Sequence, residues 1–104
     1  MAEPPPQAAS SLAAEVKALD LARAALARGE PGEALSQLEH YRHDFPRGEL
    51  AQEAEVLTLE ALAAKGEKAS VVSAADVFLH RHPNAPQAAR VRQLRAGAVR
   101  RPPD

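Results

Sequence analysis

Apolar residues recur along this chain at steps of three and four, in five runs separated by Gly or Pro, a pattern that predicts amphipathic helices. The first run places Leu12, Val16, Leu19, Ala22 and Leu26 on one stripe, with Ser10 or Ser11 as its N-cap and Arg28 and Gly29 as its end. Pro31 fits the first position of a second helix, where a missing N–H is no loss, and Ala34, Leu35, Leu38, Tyr41 and Phe45 form its apolar side up to Pro46. A third helix is predicted from Arg47 or Gly48. Its stripe of Leu50, Ala54, Leu57 and Ala61 is widened by Val56, Leu59 and Leu62, so it must be covered on two sides. The fourth, after Glu67, carries Val71, Val72, Ala75, Phe78 and Leu79 up to Pro83. Asn84, with Gln87 three residues on, resembles a capping box for a fifth helix bearing Ala88, Val91 and Leu94.

These runs are not independent. RGEPGEALSQLEHYRHDFP, from Arg28 to Pro46, returns as KGEKASVVSAADVFLHRHP from Lys65 to Pro83, with Gly29 and Gly66, Tyr41 and Phe78, and Pro46 and Pro83 all at an offset of 37. A repeat unit cannot bury its apolar face alone and needs a stacked neighbour, so the offset specifies architecture before it specifies chemistry. The expected fold is all-α: two helical hairpins and a C-terminal capping helix. In a chain of 104 residues this predicts a Pro-rich disordered linker at 1–10, a helical repeat domain at 11–98 and a basic, Pro-containing tail at 99–104.

Composition agrees with close helix packing. Hydrophobic residues make up 45% of the chain but aromatics only 3%, with Ala supplying much of the difference. There is no cysteine, which excludes a disulfide framework, a thiol nucleophile and Cys-ligated zinc; it fits a reducing compartment or an envelope protein without bridges. No apolar run is long enough to span a membrane, and the N-terminus lacks a basic, apolar signal segment, so export or tethering would depend on residues outside this sequence. The net charge of −1 argues against generic nucleic-acid binding, but the signs are segregated. Met1 to His80 holds seven Lys and Arg against thirteen Asp and Glu, and Arg81 to Asp104 holds six against one.

Beside these patterns a resemblance can be set. Ala22 lies seven residues before Gly29, and Ala34, Leu38 and Pro46 lie five, nine and seventeen after it, so the first hairpin resembles a tetratricopeptide repeat in register throughout. The second is looser: Leu59, Val71 and Ala75 stand where Ala22, Ala34 and Leu38 do, exchanging large and small. Its period exceeds the usual tetratricopeptide length of about 34 by three residues, placed in the linkers. YRHDFPRGELA and FLHRHPNAPQA resemble the repeats of bacterial cell-envelope proteins, among them outer-membrane assembly lipoproteins, the periplasmic Tol-Pal associated coordinator and the short repeat tails of myxobacterial anti-sigma regulators. The resemblance implies a tetratricopeptide-like α-solenoid that binds a protein or peptide, in a periplasmic or envelope-associated setting. It implies a concave groove built from Leu19, Arg23 and Leu26, then Val56, Glu60 and Ala63, then Arg90 and Gln93. The Lys and Asn pattern of the carboxylate-clamp members is missing, so recognition of an acidic C-terminus is not implied.

Candidate chemistry is sparse. His40 and His43, with His80 and His82 in the next repeat, are the metal ligands to consider, against their simpler role in the last helical turn beside unpaired carbonyls. Ser36, Ser70 and Ser73 have no nucleophile-elbow context and no Gly-rich phosphate loop exists, so neither an enzyme nor a cofactor is indicated. Arg90, Arg92 and Arg95 could form a basic surface, or could keep a terminal cap soluble. Two readings therefore stand beside the groove: a self-association module that sets the oligomeric state of a larger protein, and a histidine-metal or basic-surface ligand sensor.

Overall fold

The computed structural model describes residues 7–99, which form five α-helices: α1 (Gln7–Ala27), α2 (Pro31–Asp44), α3 (Ala51–Ala64), α4 (Lys68–Arg81) and α5 (Ala88–Val99). Pro4 to Pro6 and the tail from Arg100 lie outside the described residues. Because α1 is already helical at Gln7, Ser10 and Ser11 fall within its first turns and do not cap it.

The repeat returns in the backbone hydrogen bonds of its turns. Gly29 and Gly66 have φ of 76° and 80°, a left-handed conformation that costs Gly little and other residues much. After each of them the chain closes a Schellman motif: Glu30 N–H reaches Ala25 O at 2.8 Å and Glu67 N–H reaches Leu62 O at 3.0 Å, with Gly29 bonded to Leu26 O and Gly66 to Ala63 O. The longer linkers match as well. Gly48 bonds to Phe45 O and Ala85 to His82 O, followed by Ala51 to Gly48 O and Ala88 to Ala85 O.

Those linker turns start α3 and α5 later than the sequence pattern suggests. Helix α3 begins at Ala51, not at Arg47 or Gly48, and α5 begins at Ala88, not after Asn84. Pro86 disfavours helical geometry at Ala85, which explains the second delay. In the first, the Leu50 N–H is drawn out to the Glu15 carboxylate at 3.0 Å.

Each helix packs on the next, and α3 also touches both α1 and α5, while α2 and α4 stay apart. The core divides accordingly. Ala54, Leu57 and Ala61 of α3 join Leu19, Ala22, Ala25, Ala34, Leu38 and Tyr41, whereas Val56 and Leu59 join Val71, Ala75, Phe78 and Val91. The wide apolar arc of α3 is thus covered on two sides, as expected. The exchange of sizes between hairpins leaves both sets in the core: Ala22, Ala34 and Leu38 are as deeply buried as Leu59, Val71 and Ala75. Two members of the first stripe do not join the core. Leu12 and Val16 are 40% and 42% exposed: Leu12 sits in the early turns of the 21-residue α1, which outrun the 14-residue α2, and Val16 lies on the open face of α1 beside buried Glu15.

One polar group is buried among these apolar ones. Glu15, 3% exposed, accepts the Tyr41 hydroxyl at 2.7 Å and the Leu50 N–H at 3.0 Å. Burial alone would raise its pKa, but the Tyr41 hydroxyl and the backbone N–H groups of Leu50 and Glu49 outweigh it and hold the carboxyl below its usual range. Burial first, then the Glu15 bond and charge, push the Tyr41 phenol well above its ordinary value, so it remains a donor.

Gly48 completes this corner, because a Cβ there would overlap Tyr41 Oη and Glu15 Oε1. At the corresponding positions of the second repeat stand Phe78, Gln52 and Ala85: where the hydroxyl is missing, a methyl fills the space. Gly48→Ala is therefore expected to destabilise by about 1–3 kcal/mol through overpacking. Tyr41→Phe alone should cost roughly 1–2 kcal/mol. Because the phenylalanine removes the nearer of the two oxygens that the new methyl would meet, the double variant should recover about 1 kcal/mol relative to the sum. Denaturant unfolding of the four proteins measures that coupling, and strict additivity would contradict it.

Candidate functional site

The residues expected to form a groove lie on α1, α3 and α5, and the structure treats them unequally. Arg23, Leu26, Val56 and Glu60 line one concave pocket of about 390 Å³, together with Glu53 and Leu57. Leu19 does not take part. Its side chain is fully enclosed in the core of the first hairpin, because at this point the buried stripe of α1 runs through Leu19, Ala22 and Ala25, and the open face is carried by Val16 and Arg23. Ala63 and Gln93 are exposed on their helices, and Arg90 stands across from Glu60.

Charge on this surface is organised in cross-helix pairs. Arg23 bridges to Glu53 at 2.6 Å and also to Asp20 at 3.0 Å, and Arg90 bridges to Glu60 at 3.2 Å. Arg23 and Glu60 occupy equivalent repeat positions, as do Glu53 and Arg90, so the second pair repeats the first with its polarity reversed. The concave face therefore alternates in sign and carries no single-sign field. These pairs are partly exposed, and such pairs contribute roughly 0–1 kcal/mol, so each arginine or carboxylate can be handed to an incoming group at small cost. The amide of Gln87 adds a donor towards Glu53 at 3.4 Å.

The other candidate chemistry is not assembled. His40, His43 and His80 are exposed on their helices, and His82 packs edge-on to Phe78 at 5.2 Å between ring centroids with Glu55 3.9 Å away. Among the described residues no group of three His, Cys, Asp or Glu is placed to hold a metal ion. The arginines of α5 are engaged within the fold: Arg95 with Asp76 at 2.6 Å, Arg90 with Glu60, and Arg92 with the Pro83 carbonyl at 3.3 Å. They tie the closing helix to α3, α4 and the preceding linker. Among the described residues no helix is long and apolar enough to cross a membrane.

A two-hairpin stack with glycine-closed turns, proline-ended second helices and an open first-helix face defines a tetratricopeptide-like α-solenoid. Comparison with known families takes this one step further. Residues 13–100 match the YfiO family, described as outer membrane lipoprotein, and the chain belongs to that family. No curated protein and no solved structure matches it.

Proposed function

We propose that this chain is a non-catalytic protein-interaction module of the bacterial cell envelope, which holds a segment of a partner protein against the concave face of α1, α3 and α5. The observation that carries this reading is the convergence of Arg23, Leu26, Val56 and Glu60 on one open pocket. Leu26, half-buried, supplies the apolar anchor point above Val56, which is largely covered by the core, and the alternating charge pairs select a segment that itself carries both signs. Family membership favours an envelope assembly, with the outer membrane as its setting, over an anti-sigma-like regulator.

A photo-crosslinking residue tests the location. Placed at Ala63 or Gln93, both exposed on first helices, it should trap a discrete protein adduct in envelope preparations. The same residue at exposed Ser36 on α2 should not. Arg23→Glu, which sets two carboxylates against each other at Glu53, should weaken the adduct several-fold, by about 1 kcal/mol in binding. Equal adducts from Ser36 and Ala63 would count against the concave face.

A second reading, self-association, is favoured by one observation: Leu12 and Val16, one turn apart on the same face of α1, are 40% and 42% exposed. Sedimentation across a concentration series decides it. A strictly monomeric chain removes it.

A further inference from the structure

A second open space of the described fold is on the opposite side of the molecule. Helices α2 and α4 do not touch, and between them runs a trough of about 690 Å³ with Thr58 and Leu62 of α3 as its floor. Leu35 forms one wall and Val77, 50% exposed, the other, beside small residues of α4 that let a neighbouring backbone come close. Towards the C-terminal ends of α2 and α4 the trough continues between Arg42 and Arg81.

Those two arginines lack the close carboxylate that four others have. Arg23, Arg28, Arg90 and Arg95 all have carboxylates within 3.2 Å. Arg42, by contrast, meets Glu39 only at 3.8 Å and is 61% exposed. No carboxylate lies within 4.0 Å of Arg81 among the described residues. Glu55 shares this end of the trough but is turned towards His82 at 3.9 Å. Planar, donor-rich side chains with unused hydrogen-bonding capacity on both sides of one gap match carboxylates.

We infer that the α2–α4 trough is a second docking surface, and that its occupant is an amphipathic helix of a partner protein, with an apolar face along the trough and carboxylates in its first turn. The walls are helices of 14 residues, so a helix of about the same length, roughly 21 Å, spans the trough. Running antiparallel to α2 and α4, it brings its N-terminal turn between Arg42 and Arg81. Acidic residues are favoured in that turn by the helix's own dipole, so the docking geometry and the helix's internal preference agree. This surface is separate from the concave face, and neither proposal depends on the other.

The test is selection of random displayed peptides of about 14 residues against the whole chain. Enriched sequences are expected to carry apolar residues at i, i+4 and i+7 and acids at the N-terminal end. The synthetic winner should shift the amide resonances of Leu62 and Val77 and leave those of Leu26 and Gln93 in place. Arg42→Glu with Arg81→Glu should weaken it by at least about tenfold, and changing the peptide's acids to lysines should restore binding to that variant. Val77→Asp, at an exposed site that the core does not need, removes an apolar wall and sets a carboxylate against the peptide's acidic turn, and should abolish it without loss of helicity. Failure to enrich any sequence, enrichment of peptides without acids, or shifts confined to the concave residues would overturn the inference.

Discussion

Leu19→Glu is expected to unfold this chain. Leu19 is fully buried where α1 packs on α2 and α3, in one cluster with Ala22, Leu38, Tyr41 and Leu57, and the Tyr41 hydroxyl is already given to Glu15. Loss of the leucine alone costs about 2–5 kcal/mol. An unpaired buried charge adds several more, or forces the carboxyl to stay protonated at a similar cost. A chain of this length is stable by roughly 5–15 kcal/mol, so the sum removes most or all of it. Far-ultraviolet circular dichroism should show lost helicity and no cooperative melt at neutral pH. Ala63→Glu, on an exposed position of α3, should retain both. A well-folded Leu19→Glu protein would mean that α1 can rotate to expose this face, and would return Leu19 to the concave groove.

That contrast also shows how far the sequence could be read. Helix number, the glycine turns and the two-sided burial of α3 follow from local periodicity and a single offset, and the structure contains all three. The groove register came from the resemblance, and it placed Arg23, Leu26, Val56 and Glu60 together. It failed at Leu19 because the buried arc of α1 is narrow and lined by Ala22 and Ala25, small residues that admit the neighbouring helices closely and draw Leu19 inward with them. The ion pairs of the concave face were not legible. Arg23 and Glu53, or Glu60 and Arg90, each read as solvated helix surface until the stacking of one repeat on the next brings them face to face. The convex trough was invisible for a similar reason: its existence depends on how far α2 stands from α4, which no periodicity encodes.

Glu15 was missed although a signal existed, since it sits four residues before Leu19 and seven before Ala22, a charge on the buried stripe. What the pattern lacks is the non-local pair of donors, the Tyr41 hydroxyl and the Leu50 N–H, that make the position tolerable. Removing the acceptor orphans both. Glu15→Leu is expected to cost about 3 kcal/mol, the sum of two hydrogen bonds to a charged group less the gain from the added apolar side chain. Glu15→Gln, which keeps one acceptor oxygen, should cost about half as much.

The charged state of Glu15 gives a second readout. Its folded pKa lies below the unfolded value, so its contribution is present above the unfolded pKa and is lost as pH falls through the folded one. Denaturant midpoints measured from neutral pH down into the acid range should therefore fall more steeply below about pH 4.5 for the wild type than for Glu15→Gln, the two curves converging at the acid end. Parallel curves would show that the carboxylate is not held ionised by Tyr41 and Leu50.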